Sequence, residues 1–336
     1  MGICGPNGIG KTNLLDSIYY LCFAKSYFSN VDTWNIQQGK TGFRIDGHFN
    51  QLDATYQVSC VLRENGKKEI EVNNECYGKM SQHLGRFPCI MIVPDDIALI
   101  NDHSDIRRKF LDNLLSQLDN NYLHQLIAYN KYLQQRNGLL KKSGNNAPVN
   151  IELLTIYNHQ LAHHGQPIYE RRKLFLDQFI PLVIKTYNDI TDFREEKSIA
   201  LTYESDLHIH PILTLLEQRF SKDLLLQRTT VGVHRDDILL SFNDQPFKTV
   251  ASQGQKKSLL FALKLAAFEM LKTIKGFAPI LLLDDVFEKL DEQRIQNLLR
   301  CVFLRNAQLF ITDTHVERLQ KISDTLQKPL QLVPLA

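Results

Sequence analysis

Gly5, Pro6, Asn7, Gly8, Ile9, Gly10, Lys11 and Thr12 carry the spacing G-x-x-x-x-G-K-[ST] almost at the first residue of the chain. Small residues at those positions let backbone N–H groups wrap phosphate oxygens, the lysine reaches the β- and γ-phosphates, and the hydroxyl serves Mg²⁺. Asn13 continues the turn. Behind it, Leu14, Leu15, Ile18, Leu21 and Cys22 give an apolar helical pattern whose N-terminal dipole favours anions. A nucleotide with Mg²⁺ is therefore the expected ligand, and a chance glycine turn is the bland alternative.

A second group lies far downstream. Ile280, Leu281, Leu282 and Leu283 read as a buried strand that ends in Asp284 and Asp285. Such a strand delivers carboxylates to the C-terminal edge of a parallel sheet, where open α/β folds bind ligands. Asp284 fits the metal-holding Walker B role, and Asp285 stands where it could orient or activate water. Two solvated acids after a core strand are the alternative. Ser252 and Gly254, in Ala251-Ser252-Gln253-Gly254-Gln255, open an apolar helix whose N-terminus can accept a phosphate. This segment resembles the signature of ABC-type ATPases, and Leu290-Asp291 follows at the spacing of that group's D-loop.

The elements that must position these residues are legible in outline. Strands are expected at 43–49, 56–62 and 69–72, joined in part by an Asn65-Gly66 turn suited to positive φ. A short apolar strand over 87–93 ends at Pro94-Asp95-Asp96. Residues 104–227 change to long helical periodicity, broken by a polar linker at 141–148. Strand character returns at 229–233 and 237–242, then a helix over 255–272, the 280–283 strand, a helix over 291–304 and a strand over 308–312. Strand, helix, strand in that rhythm is parallel-sheet architecture. The expected fold is α/β: a P-loop NTPase head of residues 1–103 plus 228–336, with a mixed sheet, and a helical insertion lobe of residues 104–227.

The chain of 336 residues has a formal net charge of +2, so any nucleic-acid surface must be a local patch rather than bulk charge. Six scattered cysteines form no C-x-x-C pair and read as reduced thiols. No leader pattern and no apolar run of membrane length is present, which points to a cytoplasmic protein without a membrane partner. A myristoylation reading of Met1-Gly2 fails because Pro6 stands where Ser or Thr is needed.

Pro94-Asp95-Asp96-Ile97, Arg107-Arg108-Lys109-Phe110-Leu111-Asp112, Tyr129 to Asn137, Gly232-Val233-His234-Arg235-Asp236-Asp237 and Ser252-Gln253-Gly254-Gln255, taken with the P-loop, resemble the bacterial RecF family, in the SMC-like branch of ABC ATPases. The resemblance runs over essentially the whole chain. It implies ATP binding, an ATP-dependent homodimer closed around two nucleotides, and DNA held at single-strand gaps. RecR and RecO are the implied partners, with RecA loaded indirectly. By the same carry-over Lys11 contacts the β/γ-phosphates, Thr12 and Asp284 the metal, and Asp285 the water. Ser252, Gly254 and Gln255 meet the partner's γ-phosphate, and Asp291 reaches across the dimer. Asp285 is one methylene shorter than the usual glutamate, so slow hydrolysis is expected. Asp95 or Asp96 stands in for a missing loop glutamine, and His315 is a candidate γ-phosphate sensor or a surface histidine. Candidate DNA contacts are Arg107-Arg108-Lys109, Lys141-Lys142, Arg171-Arg172-Lys173 and Lys256-Lys257, half or more of them merely solvated; Arg235, which abuts acids, is expected to be structural or near the nucleotide rather than on DNA. The resemblance also implies about thirty residues ahead of the P-loop, enough for two further strands. Two rivals remain: a transporter's nucleotide-binding subunit, disfavoured by the roughly 240 residues between Lys11 and Ser252, and a non-hydrolysing scaffold that uses ATP only to dimerise.

Overall fold

The computed structural model describes residues 1–143, 148–192, 199–286, 292–303, 307–326 and 330–335. The strands among them are β1 (Gly2–Cys4), β2 (Phe43–Gln51), β3 (Ala54–Leu62), β4 (Lys68–Val72), β5 (Glu75–Cys76), β6 (Cys89–Ile92), β7 (Ile199–Glu204), β8 (Asp237–Phe242), β9 (Gln245–Pro246), β10 (Ile280–Asp284), β11 (Leu309–Asp313) and β12 (Leu332–Pro334). The chain forms two compact units. One comprises Met1–Ile97, Val183–Glu196 and Ser252–Ala336; the other comprises Ala98–Leu182 and Lys197–Ala251.

The first unit is built on a parallel sheet in the order β12-β1-β11-β10-β6. Its three-residue β1 is an interior strand, paired on both sides in register Gly2 to Ile311 and Gly2 to Leu332. Burial on both faces explains the unbroken apolar runs: Ile3, Leu281, Leu282, Leu283 and Ile311 are fully buried. The Lys11–Phe23 helix packs Leu15, Tyr19 and Cys22 into a core shared with Met91 and Leu282. The Gln253–Lys275 helix buries most of its length and stops at Gly276, whose φ of 78° permits the left-handed cap. The antiparallel sheet β2-β3-β4-β5 has the expected hairpin: Gly66 adopts φ 76°, and Arg63 and Lys67 close the turn with a 2.9 Å backbone bond.

The second unit holds the Ser104–Leu118 and Asn120–Ser143 helices, residues 151–182 of the long Ile151–Thr191 helix, and the antiparallel sheet β7-β8-β9. Residues 228–251 lie in this unit, not with the head as the sequence suggested. β8 pairs with β7 along its whole length, and Arg107 of the first helix grips Asp237. The strand expected at 229–233 is likewise absent. Thr229 N and Oγ1 both donate to Asn137 Oδ1 at 2.7 Å, and Thr230 N and Oγ1 donate to Asp223 Oδ1. Side-chain acceptors thus take the donors a neighbouring strand would need, and Gly232 at φ 115° breaks extended geometry. No helix among the described residues is long and apolar enough to cross a membrane.

Candidate nucleotide site

The P-loop leaves β1 at its C-terminal end and enters the Lys11–Phe23 helix through Gly8 and Gly10, at φ 84° and 104°. Only glycine takes such angles without strain, and no atom lies within 4 Å of where a Cβ would sit on either. The result is an open cradle floored by backbone. Lys11 is 7% exposed and donates from Nζ to the carbonyls of Gly5 at 2.7 Å and Pro6 at 3.0 Å. Its ammonium therefore sits against the loop, where a phosphate chain would run.

β10 brings the carboxylates to the same edge. Thr12 Oγ1 donates to Asp284 Oδ2 at 2.8 Å. The other carboxylate oxygen, Oδ1, accepts from Thr312 Oγ1 at 2.6 Å, and that hydroxyl accepts from the backbone N–H of Asp285 at 3.0 Å. Thr312 is fully buried and lies in register with Asp284 on the neighbouring β11. One hydroxyl thus sets both aspartates. Asp285 itself has φ 46° and turns the chain off the sheet. A cavity of about 220 Å³ is lined by Asn7, Gly8, Gly10 to Asn13, Asp284 and Asp285.

The structure therefore brings Lys11, Thr12, Asn13, Asp284 and Asp285 together, across more than 270 residues of sequence. The Thr12 hydroxyl and Asp284 carboxylate are hard oxygen donors at hydrogen-bond distance on one wall. That fits Mg²⁺, which takes few protein ligands and completes its shell with phosphate and water. Gly5, Pro6 and Ile9 belong to the loop but do not line the cavity.

Ser252, Gly254 and Gln255 stand apart from it. Ser252 caps its helix: Oγ accepts from Gln255 N at 3.2 Å, and Ser252 N donates to Gln255 Oε1 at 2.7 Å. That reciprocal capping box leaves the exposed first turn rigid. Gly254 is pressed by Arg294, whose Nη1 would lie 1.8 Å from a Cβ there. Asp291 lies outside the described residues.

Asp96 is already committed. Its carboxylate accepts from Tyr27 and from Val93 N at 2.9 Å, and pairs with the buried Lys264 at 2.9 Å. Lys264, on the helix that Ser252 caps, also donates to Tyr27 Oη and Met91 O. Asp95 is exposed. His315 is also exposed, with its backbone N–H held by the buried Asp313 at 2.8 Å.

The basic clusters divide sharply. Arg107 makes a two-pronged pair with Asp237 at 2.7 and 2.8 Å, and Arg108 donates to Asp236 O at 2.6 Å. Arg172, 1% exposed, is bound by Asp112, Asp236, Tyr122 and Val233 O. Arg107 and Arg172 build the second unit and are not free for DNA phosphates, whereas Arg108 has a backbone carbonyl but no carboxylate at ion-pair distance among the described residues. Lys109, Lys141, Lys142 and Lys173 are exposed, Lys256 and Lys257 half-buried, and Arg171 pairs with Asp119. Sequence reasoning missed Thr312 and the Lys264–Asp96–Tyr27 group. The role of Thr312 follows from the parallel register that sets it opposite Asp284, which no local sequence pattern marks.

Comparison with known proteins agrees with this geometry. The RecF/RecN/SMC N terminal domain family matches residues 1–330. "DNA replication and repair protein RecF" of Flavobacterium johnsoniae is 46% identical over 95% of this chain and 88% of its own length. The protein of the same description from Cytophaga hutchinsonii is 40% identical over 94% of this chain and 83% of its own. Among solved structures, the "recombination mediator protein RecF-ATP in RecFOR pathway" superposes with a TM-score of 0.84 at 30% identity, covering 94% of this chain and 85% of that one. An Smc head bound to the C-winged helix domain of ScpA, at 12% identity and a TM-score of 0.51 over 94% of this chain and 82% of that one, shares the fold alone. A P-loop, an aspartate pair and a parallel sheet of this order, carried on a sequence so close to these relatives, place the chain in the RecF family of SMC-like P-loop ATPases.

Proposed function

We propose that this chain is an ATP-dependent DNA-binding clamp of recombinational repair and replication restart. It binds single-strand gaps and works with RecO and RecR to load RecA. ATP drives two copies together, and slow hydrolysis lets them part, so the ATPase is a conformational switch rather than a bulk catalyst. The observation that carries this is the continuous link from Thr12 through Asp284 and Thr312 to Asp285 beside the open glycine cradle. A bound Mg²⁺ would supply positive charge to the phosphates there, held by Thr12 and Asp284. Lys11 binds the β/γ-phosphates, and Asp285 orients a water and accepts its proton. The rigid turn at Ser252, Gly254 and Gln255 meets the γ-phosphate of the second copy, and Asp291 reaches across the dimer. The protein acts in the cytoplasm.

Lys11→Arg and Asp285→Asn separate this from a scaffold that never hydrolyses. Asp285→Asn should bind ATP, self-associate and stay associated, whereas Lys11→Arg should lose binding. If the wild type and Asp285→Asn release phosphate at one rate, Asp285 is not the hydrolytic carboxylate.

A further inference from the structure

Residues 232–237 of the second unit form a turn in which every position but one is fixed by its neighbours. At Gly232, φ is 115° and a Cβ would lie 2.5 Å from the Tyr129 hydroxyl. Val233 is buried, and its carbonyl accepts from Arg172 Nη1 at 2.6 Å. His234 is held between Tyr129 at 2.8 Å and Thr229 O at 3.1 Å. Asp236 accepts from Arg172 and Tyr203, and Asp237 is gripped by Arg107. Arg235 alone is exposed, and among the described residues its guanidinium has no hydrogen-bond or ion-pair partner.

A second guanidinium, Arg108, lies beside this turn. Arg107 is matched by Asp237, and Arg172 by Asp112 and Asp236. Arg108 has no carboxylate within ion-pair distance among the described residues; its guanidinium is spent on the carbonyl of Asp236, next in sequence to Arg235. Around Arg108 the like charges of Arg172 and Arg235 oppose the carboxylates of Asp237 and Asp105. Holding like charges together on a rigid support costs free energy that a bound anion would return. Of the two expectations for Arg235, a structural role or a place near the nucleotide, the first finds no side-chain contact among the described residues, because the turn is fixed without it.

We infer that Arg235, with Arg108 beside it, is a docking point for a phosphate group. A planar guanidinium suits a phosphate, and because the turn is already fixed no backbone has to be ordered on binding. The phosphate comes from a DNA backbone or from a nucleotide, both of which belong to the function proposed above, on which this inference rests.

The test uses the full chain with Arg235→Gln and Arg235→Lys. Binding to gapped duplex DNA is followed by anisotropy across a salt series, and ATP binding and ATP-dependent sedimentation are measured in parallel. Arg235→Gln should melt within about 2 °C of wild type, as expected for an exposed side chain without partners. A DNA source predicts affinity lower by about 3- to 10-fold and a log K against log salt slope smaller by about 0.9, with Arg235→Lys keeping the slope. A nucleotide source predicts unchanged DNA binding and a comparable loss in ATP affinity or ATP-driven association. If neither moves, or if Arg235→Gln melts many degrees lower, the inference is overturned. A wild-type chain that binds neither DNA nor ATP overturns the proposed function itself, and this inference with it.

Discussion

Replacing Thr312 by valine removes one hydroxyl and almost no volume from a fully buried position. That hydroxyl donates to Asp284 Oδ1 at 2.6 Å and accepts from Asp285 N at 3.0 Å. A hydrogen bond to a charged group contributes about 1.5–3 kcal/mol net. Among the described residues Asp284 keeps its 2.8 Å bond from Thr12, and the Asp285 backbone N–H, at φ 46°, loses its bond to the Thr312 hydroxyl. The P-loop and Lys11 are untouched, so ATP affinity should change little. If the lost bond is felt in the positioning of both carboxylates, hydrolysis falls about 10- to 150-fold. Phosphate release and nucleotide binding measured on the same preparation check this, with Thr312→Ser expected to recover most of the rate. A Thr312→Val chain that hydrolyses ATP at the wild-type rate would refute the claim that this hydroxyl sets the aspartates.

Arg172→Met strips the charge partner from Asp236 and Asp112 and should cost about 3–5 kcal/mol, the penalty for breaking a buried pair. Thermal melts at pH 7 should show it plainly, whereas Lys109→Met, 72% exposed with Asp105 at 3.6 Å, should change almost nothing. Burial pushes the His234 imidazole down to about 4. The unfolded chain therefore takes up the proton first, and stability present above about pH 6.5 is lost as pH falls toward 4, by about 3 kcal/mol in full. Asp236, whose carboxyl burial raises, acts in the opposite sense, so the wild type should be melted beside His234→Gln to isolate the histidine.

Where local chemistry dictates structure, the sequence was legible. The glycine spacing required a cradle, and an apolar run ending in two aspartates required a sheet edge; Thr12 and Asp284 meet as those rules demand. What the sequence hid depends on tertiary charge pairing. Arg107, Arg108 and Arg172 look like surface clusters because their partners Asp236 and Asp237 lie 60 residues or more away. Thr229 to Val233 looks like a strand because its residues are mostly β-branched, but Asn137 and Asp223 claim its donors. Thr312 carries no local mark, since its role arises only from its register opposite Asp284.

Sedimentation of the full chain with and without ATP and Mg²⁺, followed by addition of gapped duplex DNA, bears most directly on the proposal that nucleotide at Lys11, Thr12 and Asp284 drives a DNA clamp. The expected result is a single chain without nucleotide, a two-chain species with ATP that persists in Asp285→Asn and is absent in Lys11→Arg, and a heavier species when gapped DNA is added. A chain that sediments as one copy whatever the nucleotide, and ignores gapped DNA, would contradict it.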